Sequence, residues 1–231
     1  MYTTRVHRVL HRGLARTGKF AAVLAVTGLV SAFAAGSAQA STPPPAGDCQ
    51  WPAAAQPFLP WADSNSYFLA PGGSFEGDTS LWTLSGGASV VSGNEDSYVG
   101  SPTDASSLSL PAGSSATTAS ICVTADTPLL RLFVLNAGSS SSMLHVTLNY
   151  TAKSGKPKSD EVAQLAGGAA WSLSPQVNFL DKLYPLLKKN GQTNVSFTFT
   201  SDSGGSFSID DLYIDPMKSQ YGCSWGTGSY E

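Results

Sequence analysis

The sequence predicts an all-β chain, an antiparallel β-sandwich or barrel with little helix. Three observations predict it. Short apolar runs alternate with period two, turn-forming residues separate them at close intervals, and only one stretch has helical spacing. Leu144, Val146, Leu148 and Tyr150 fall on one face of residues 143–151, and His145, Thr147, Asn149 and Thr151 on the other. That is a strand with one buried face. Gly72-Gly73, Gly86-Gly87, Gly93-Asn94, Gly167-Gly168, Asn190-Gly191 and Gly204-Gly205 are among the turn formers.

Residues 1–40 hold Arg5, Arg8, Arg12, Arg16 and Lys19 and no acid, whereas the remainder holds the other 8 Lys/Arg and all 16 Asp/Glu. The formal net charge of −3 therefore joins a basic head to an acidic body. The head runs into an apolar stretch, Phe20 to Phe33, and then Ala38-Gln39-Ala40 before Ser41. A charged n-region, an apolar h-region and an A-x-A site read as a secretory signal. The apolar core is too short and too rich in Ala and Gly for a secure span, although an uncleaved anchor is the alternative. Its length and Ala content resemble the signals of Gram-positive actinobacteria. No second stretch of spanning length follows, so the expected product is secreted from about Ser41 with no transmembrane anchor.

Residues 41–65 are rich in Pro and Ala, which excludes a sustained helix or a central strand. Trp51, Phe58, Leu59 and Trp61 are too apolar for a free tether, so this segment is expected to lie on the domain as an extended arm. Strands are then expected at 67–69, 81–84, 88–92, 97–99, 107–110, 117–124, 129–135, 143–151, 161–165, 171–174, 195–200 and 207–214. Leu129 to Leu135 is continuous enough for a central strand. Residues 179–189 have helical spacing, limited by Pro185 to one or two turns. With no repeat, one domain over 66–216 and a tail over 217–231 follow.

Cys49, Cys122 and Cys223 permit at most one intrachain bridge, with three possible pairings. Cys49–Cys122 is preferred because it fastens the arm to the body, and Cys49–Cys223 competes. Their wide spacing is unlike a zinc site.

The most specific motif is Pro71-Gly-Gly-Ser-Phe75-Glu76-Gly77-Asp78 leading to Trp82, with a counterpart in Phe207-Ser-Ile209-Asp210-Asp211-Leu212-Tyr-Ile214. The pair resembles the galactose-binding-like jelly rolls of carbohydrate-binding modules, which open with a G-x-F-E-x-G-x-x-x-W pattern and close with I-D-D-V-x-L. Leu81 departs from the pattern, where Gly is expected before the Trp. The likeness spans most of residues 66–215, but its specific motifs are the two ends. It is closest to secreted actinobacterial proteins of that fold with unassigned activity.

The resemblance implies a jelly roll and a structural Ca²⁺, with Glu76 and Asp211 as side-chain ligands. First and last strands of a jelly roll are neighbours, so Asp78 and Asp210 are expected beside them as further candidate ligands. Carboxylates held together repel unless a hard cation neutralises them. Trp82 reads as core.

Sugar binding needs ring faces for stacking and planar polar groups for hydroxyls. The candidates are Asn94, Asp96 and Tyr98 in one loop, and Trp171. Enzyme readings fare poorly. Only His145 remains outside the head, no G-x-S-x-G elbow or P-loop occurs, and the one convergent carboxylate group is better explained by metal. Eight cations in the body exclude a nucleic-acid binder. The expected function is non-catalytic binding of an extracellular or cell-wall glycan. A protein-binding surface domain is the alternative, and a small secreted hydrolase a weaker one.

Overall fold

The computed structural model describes residues 49–126, 129–187 and 191–215; the expected signal, Cys223 and the tail lie outside them. In chain order the elements are β1 (Phe68–Leu69), β2 (Trp82–Ser85), β3 (Ser89–Ser92), β4 (Ser106–Leu110), β5 (Ser115–Thr118), β6 (Ile121–Thr124) and β7 (Leu129–Asn136). There follow β8 (Leu144–Thr151), β9 (Pro157–Leu165), β10 (Ser172–Leu173), β11 (Val177–Asn178), α1 (Leu180–Leu187), β12 (Gln192–Ser201) and β13 (Phe207–Asp215).

These strands form two antiparallel sheets, a sandwich of jelly-roll type. One has the order β10-β7-β13-β4-β3, with β1 beside β13 and β11 beside β7; the other has the order β2-β5-β12-β8-β9, with β6 beside β12. The period-two pattern fixes which side of each sheet is buried, since a one-residue slip would turn every apolar side chain outward. Leu144, Val146 and Leu148 of β8 and Phe197 and Phe199 of β12 thus meet Leu130, Leu132, Ile209, Leu212 and Ile214 of the facing sheet. Each such side chain contributes roughly 1.5–3 kcal/mol by leaving water.

Three expected elements differ. The run 117–124 is two strands, β5 and β6, which meet different parts of β12. Residues 97–99 are no strand, because the buried Glu95 carboxylate takes the N–H groups of Ser97 and Val99 (2.6 and 2.7 Å). β9 starts at Pro157, four residues before the expected start, and forms a long hairpin with β8.

The segment from Cys49 is fixed to the body at several points. Cys49 is bridged to Cys122, the Trp51 indole donates to the Cys122 carbonyl (2.9 Å), and the Trp51 ring stacks on Phe68. Ala55 and Tyr67 exchange both backbone hydrogen bonds, closing residues 56–66 into a loop over the outer face of the seven-stranded sheet. Phe58 is fully buried there against Tyr67, Phe133 and Tyr213. The guanidinium of Arg131 lies 5.3 Å from its ring centroid.

Asp63 locks this loop. Its Oδ2 accepts from the Tyr67 hydroxyl (2.6 Å), Arg131 (2.6 Å) and Gln176 (3.2 Å), and its Oδ1 accepts from the Asn65 N–H (3.1 Å). Burial pushes the Asp63 carboxyl up, but these four donors outweigh it and hold the group below its ordinary value of 3.8. Its contribution is therefore present above pH 3.8 and is lost as pH falls through the lower folded value. We expect Asp63→Asn to be less stable than the parent at pH 7 and to lose less on acidification. Urea midpoints between pH 7 and pH 2 measure both.

Candidate functional site

The closing strand carries one residue too many. Against β7 its register runs Ile209↔Val134, Asp210↔Phe133 and then Tyr213↔Arg131, so three steps on β13 match two on β7. The extra residue is Asp211, whose φ of 49° is left-handed, a conformation that Asp tolerates better than most side chains. The bulge turns Asp210 and Asp211 toward the loop between β3 and β4.

There the two acids have different surroundings. Asp210 accepts the N–H groups of Glu95 (3.1 Å) and Asp211 (2.8 Å). Both oxygens of Asp211 are buried without a hydrogen bond of good geometry. The Gly100 N–H gives them weak electrostatic relief. Burial, then the charge of Asp211, pushes Asp210 up to about 8. Burial, then the charges of Glu95, Asp104 and Glu76, pushes Asp211 up to about 7.

Asp104 faces the same space. A Cβ placed on Gly100 would lie 2.6 Å from Asp104 Oδ2 and 2.9 Å from Asp211 Oδ1, so glycine leaves the gap that both carboxylates border. Burial, then Glu76, raises the Asp104 carboxyl as well. Glu76 is anchored by accepting the N–H groups of Ala105 (2.7 Å) and Ser106 (2.5 Å).

Of the four expected ligands, Glu76 and Asp211 share this neighbourhood, and Asp104 joins them. Asp78 does not; its carboxylate accepts the Ser80 N–H (2.8 Å) and caps a 3-10 turn over Thr79–Leu81 at the surface. Asp210 lies next to the gap, but backbone donors already occupy its oxygens. Among the described residues no three His, Cys, Asp or Glu side chains form a ready-made metal cage. A hard cation at the gap would thus draw most of its oxygens from backbone carbonyls. Trp82 is core, its indole N–H donating to the Gly72 carbonyl (3.0 Å).

The expected sugar contacts are dispersed. Tyr98 is 49% exposed with a left-handed φ of 51°, and Asp96 is exposed beside it. Asn94 turns inward and donates to the Glu95 carbonyl. Trp171 packs partly buried against the Phe58 cluster, as does Val99. Phe58 fills the aromatic centre of this sheet face, leaving Trp61 and Trp171 half-covered around it.

The outer face of the six-stranded sheet is of another kind. Thr83, Thr117, Thr198, Thr147 and Glu161 stand in register across five strands, and Ser85, Ser115, Thr200, His145 and Gln164 form the next row. Strands lie ~4.8 Å apart, so each row is a ladder of hydrogen-bonding groups at that interval. Some groups engage one another. The Thr117 and Thr198 hydroxyls are 2.8 Å apart, Asn149 donates to Thr198 (2.9 Å), and Ser159 donates to Asn149 (2.7 Å). No aromatic side chain belongs to either row.

No family model matches the chain, and a search of curated proteins found no match. Solved structures similar in fold include a xylan-binding domain of CBM family 22, at 19% identity over 66% of this chain and 96% of that one, TM-score 0.42. Another is the CBM22-1–GH10 portion of a Clostridium thermocellum endo-1,4-β-D-xylanase 10B complexed with xylohexaose. There the identity is 15% over 61% of this chain, TM-score 0.43, and the match spans only 27% of that structure. A third is a CBM61 module in complex with β-1,4-galactotriose, at 18% identity over 63% of this chain and 96% of that one, TM-score 0.37.

The buried, donor-poor carboxylate of Asp211 generates an unusual expectation. In metal-free buffer at pH 8, Asp211→Asn should stabilise the protein by about 1–2 kcal/mol, because it removes a buried like charge while keeping a side chain that tolerates positive φ. Urea unfolding in EDTA reads the sign directly.

Proposed function

We propose that the chain is an exported, non-catalytic binding domain for a neutral, hydroxyl-rich glycan, steadied by a structural calcium ion. The two hydroxyl and amide rows across the six-stranded sheet carry the reading. Sugar hydroxyls exchange hydrogen bonds with such groups, and the scarcity of cations on the acidic body disfavours anionic polymers. His145 has both ring nitrogens engaged by carboxylates, which supports a binding rather than a nucleophilic role. The basic head and the A-x-A site support export.

Glu76, Asp104 and Asp211 would supply the side-chain oxygens for calcium, whose charge would offset the burial and the repulsion that raise Asp104 and Asp211. EDTA is expected to lower the melting temperature by several degrees and added Ca²⁺ to restore it, since a ligand held only by the native state stabilises that state. Differential scanning calorimetry tests this, and an unchanged transition overturns the calcium assignment alone.

For the glycan, we expect the protein to be retained on at least one neutral polysaccharide of a broad pull-down panel. Retention should be lost in Thr147→Arg, which places a bulky cation in the first row. Loss in Trp171→Ala or Tyr98→Ala, with Thr147→Arg still retained, would move the site to the aromatic-rimmed face. Absence of retention across the panel would leave the protein-partner reading, for which the 53% exposed Leu59 and neighbouring Trp61 form the apolar contact.

A further inference from the structure

We propose that His145 is a proton-operated clasp: protonated, it ties the Glu161 segment of the edge strand β9 to the turn after β12, and deprotonated, it loosens that segment. The ring lies between two acids. Nδ1 is 2.6 Å from Glu161 Oε2, and Nε2 is 2.9 Å from Asp202 Oδ1. A neutral imidazole has one N–H, so either tautomer sets a nitrogen lone pair against one of these carboxylates. Only the imidazolium donates to both. The acids approach opposite ring nitrogens, which excludes the alternative in which all three groups hold one metal ion.

The geometry is built by the strands. In the β8–β9 hairpin His145 pairs with Gln164 and Thr147 with Glu161, with an extra residue, Val162, on β9 between them. That bulge interrupts the regular pairing of the edge strand beside the clasp. Gln164 donates to Glu161 Oε1 (2.7 Å) and steadies the carboxylate. Asp202 follows β12, and its Oδ2 accepts the Met143 N–H (2.8 Å). Asp202 and Met143 are also joined through backbone, Asp202 N–H to Met143 carbonyl (3.1 Å).

The two anchors are therefore unequal. The Asp202 carboxylate is held by a backbone N–H, that of Met143 just before β8, whereas the Glu161 carboxylate is held by side chains alone. When the ring loses a proton, the remaining N–H stays with Asp202, and the lone pair left on Nδ1 repels Glu161. β9 is the end strand of its sheet, so its ladder hydrogen bonds go to β8 alone, and Val162, Ala163 and Leu165 add packing on the core.

The groups facing the ring are Glu161 from β9 and Asp202 from beyond β12; its register neighbours Gln164 and Thr200 are uncharged. The Glu161 hydrogen bond raises the His145 value above 6.5, burial opposes it, and Asp202 adds to the rise. The sign follows: the stabilisation is complete below pH 6.5 and is lost as pH rises through the higher folded value.

The test is an imidazole ¹⁵N titration of the full-length protein, with His145 resonances assigned by their loss in His145→Gln. Amide exchange in β9 is followed over the same pH range, normalised to that in β12. A His145 midpoint above 6.5 is expected, lowered in Glu161→Gln and in Asp202→Asn. Normalised exchange at Val162–Leu165 should rise through the same midpoint, and in His145→Gln it should be fast at every pH. A midpoint at or below 6.5, insensitivity to both variants, or β9 exchange that does not follow the titration overturns the clasp.

Discussion

The bulge at Asp211 is the constraint on which the rest of the molecule depends. β13 is bonded to β1, β4 and β7, so its course sets the seven-stranded sheet. Ile209 and Leu212 are three residues apart and both lie in the main core, which a regular strand does not allow. The extra residue permits it, and it also aims Tyr213 outward beneath Phe58. The same irregularity leaves two acidic side chains under the β3–β4 loop, one served by backbone donors and the other not. Core, aromatic cap and carboxylate gap thus share one local departure from strand geometry.

The two outer faces of the sandwich are divided by chemistry. One is aromatic and is covered by the chain's own residues 56–66, fixed by Asp63 and Arg131. The other is a polar array that satisfies part of its own hydrogen-bonding capacity and offers the rest to solvent. Covering the aromatic face internally removes an apolar patch that would otherwise promote association. It also leaves the polar sheet and the aromatic rim as the faces open to solvent. Hydrogen bonds discriminate by geometry, whereas stacking tolerates many rings.

The strands with one buried and one wet face were legible because their two faces differ at every step: β8 and β12 show it residue by residue. β9 was only half legible, since Lys156, Lys158, Ser159 and Asp160 conceal a strand whose apolar residues come late. Residues 97–99 read as a strand because Tyr98 and Val99 suit one, and nothing local reveals that Glu95 is buried and redirects the backbone. The Cys49–Cys122 pairing was favoured by the apolar arm it secures, and the structure contains it. Glu76 and Asp211 were reachable through the paired end motifs. Asp104 was not, because its place beside Asp211 arises from the gap at Gly100. The sequence does carry a signal of the bulge: the apolar residues of 207–214 change parity between Ile209 and Leu212, which gives Asp210 and Asp211 separate fates.

The bridge between Cys49 and Cys122 has a mechanical consequence. The two residues are separated by 73 positions, which include the Phe58 loop, β1 to β5 and most of the β3–β4 loop's acidic surroundings. A pull arriving from the N-terminal side crosses the sulfur–sulfur bond and loads β6 directly. The intervening segment is a slack covalent ring that carries no tension, and about 250 Å of contour is withheld from stretching. For a domain loaded through its N-terminal segment, the force thus passes from Cys122 into β6 and its pairing with β12, while the ring of 73 positions stays covalently closed.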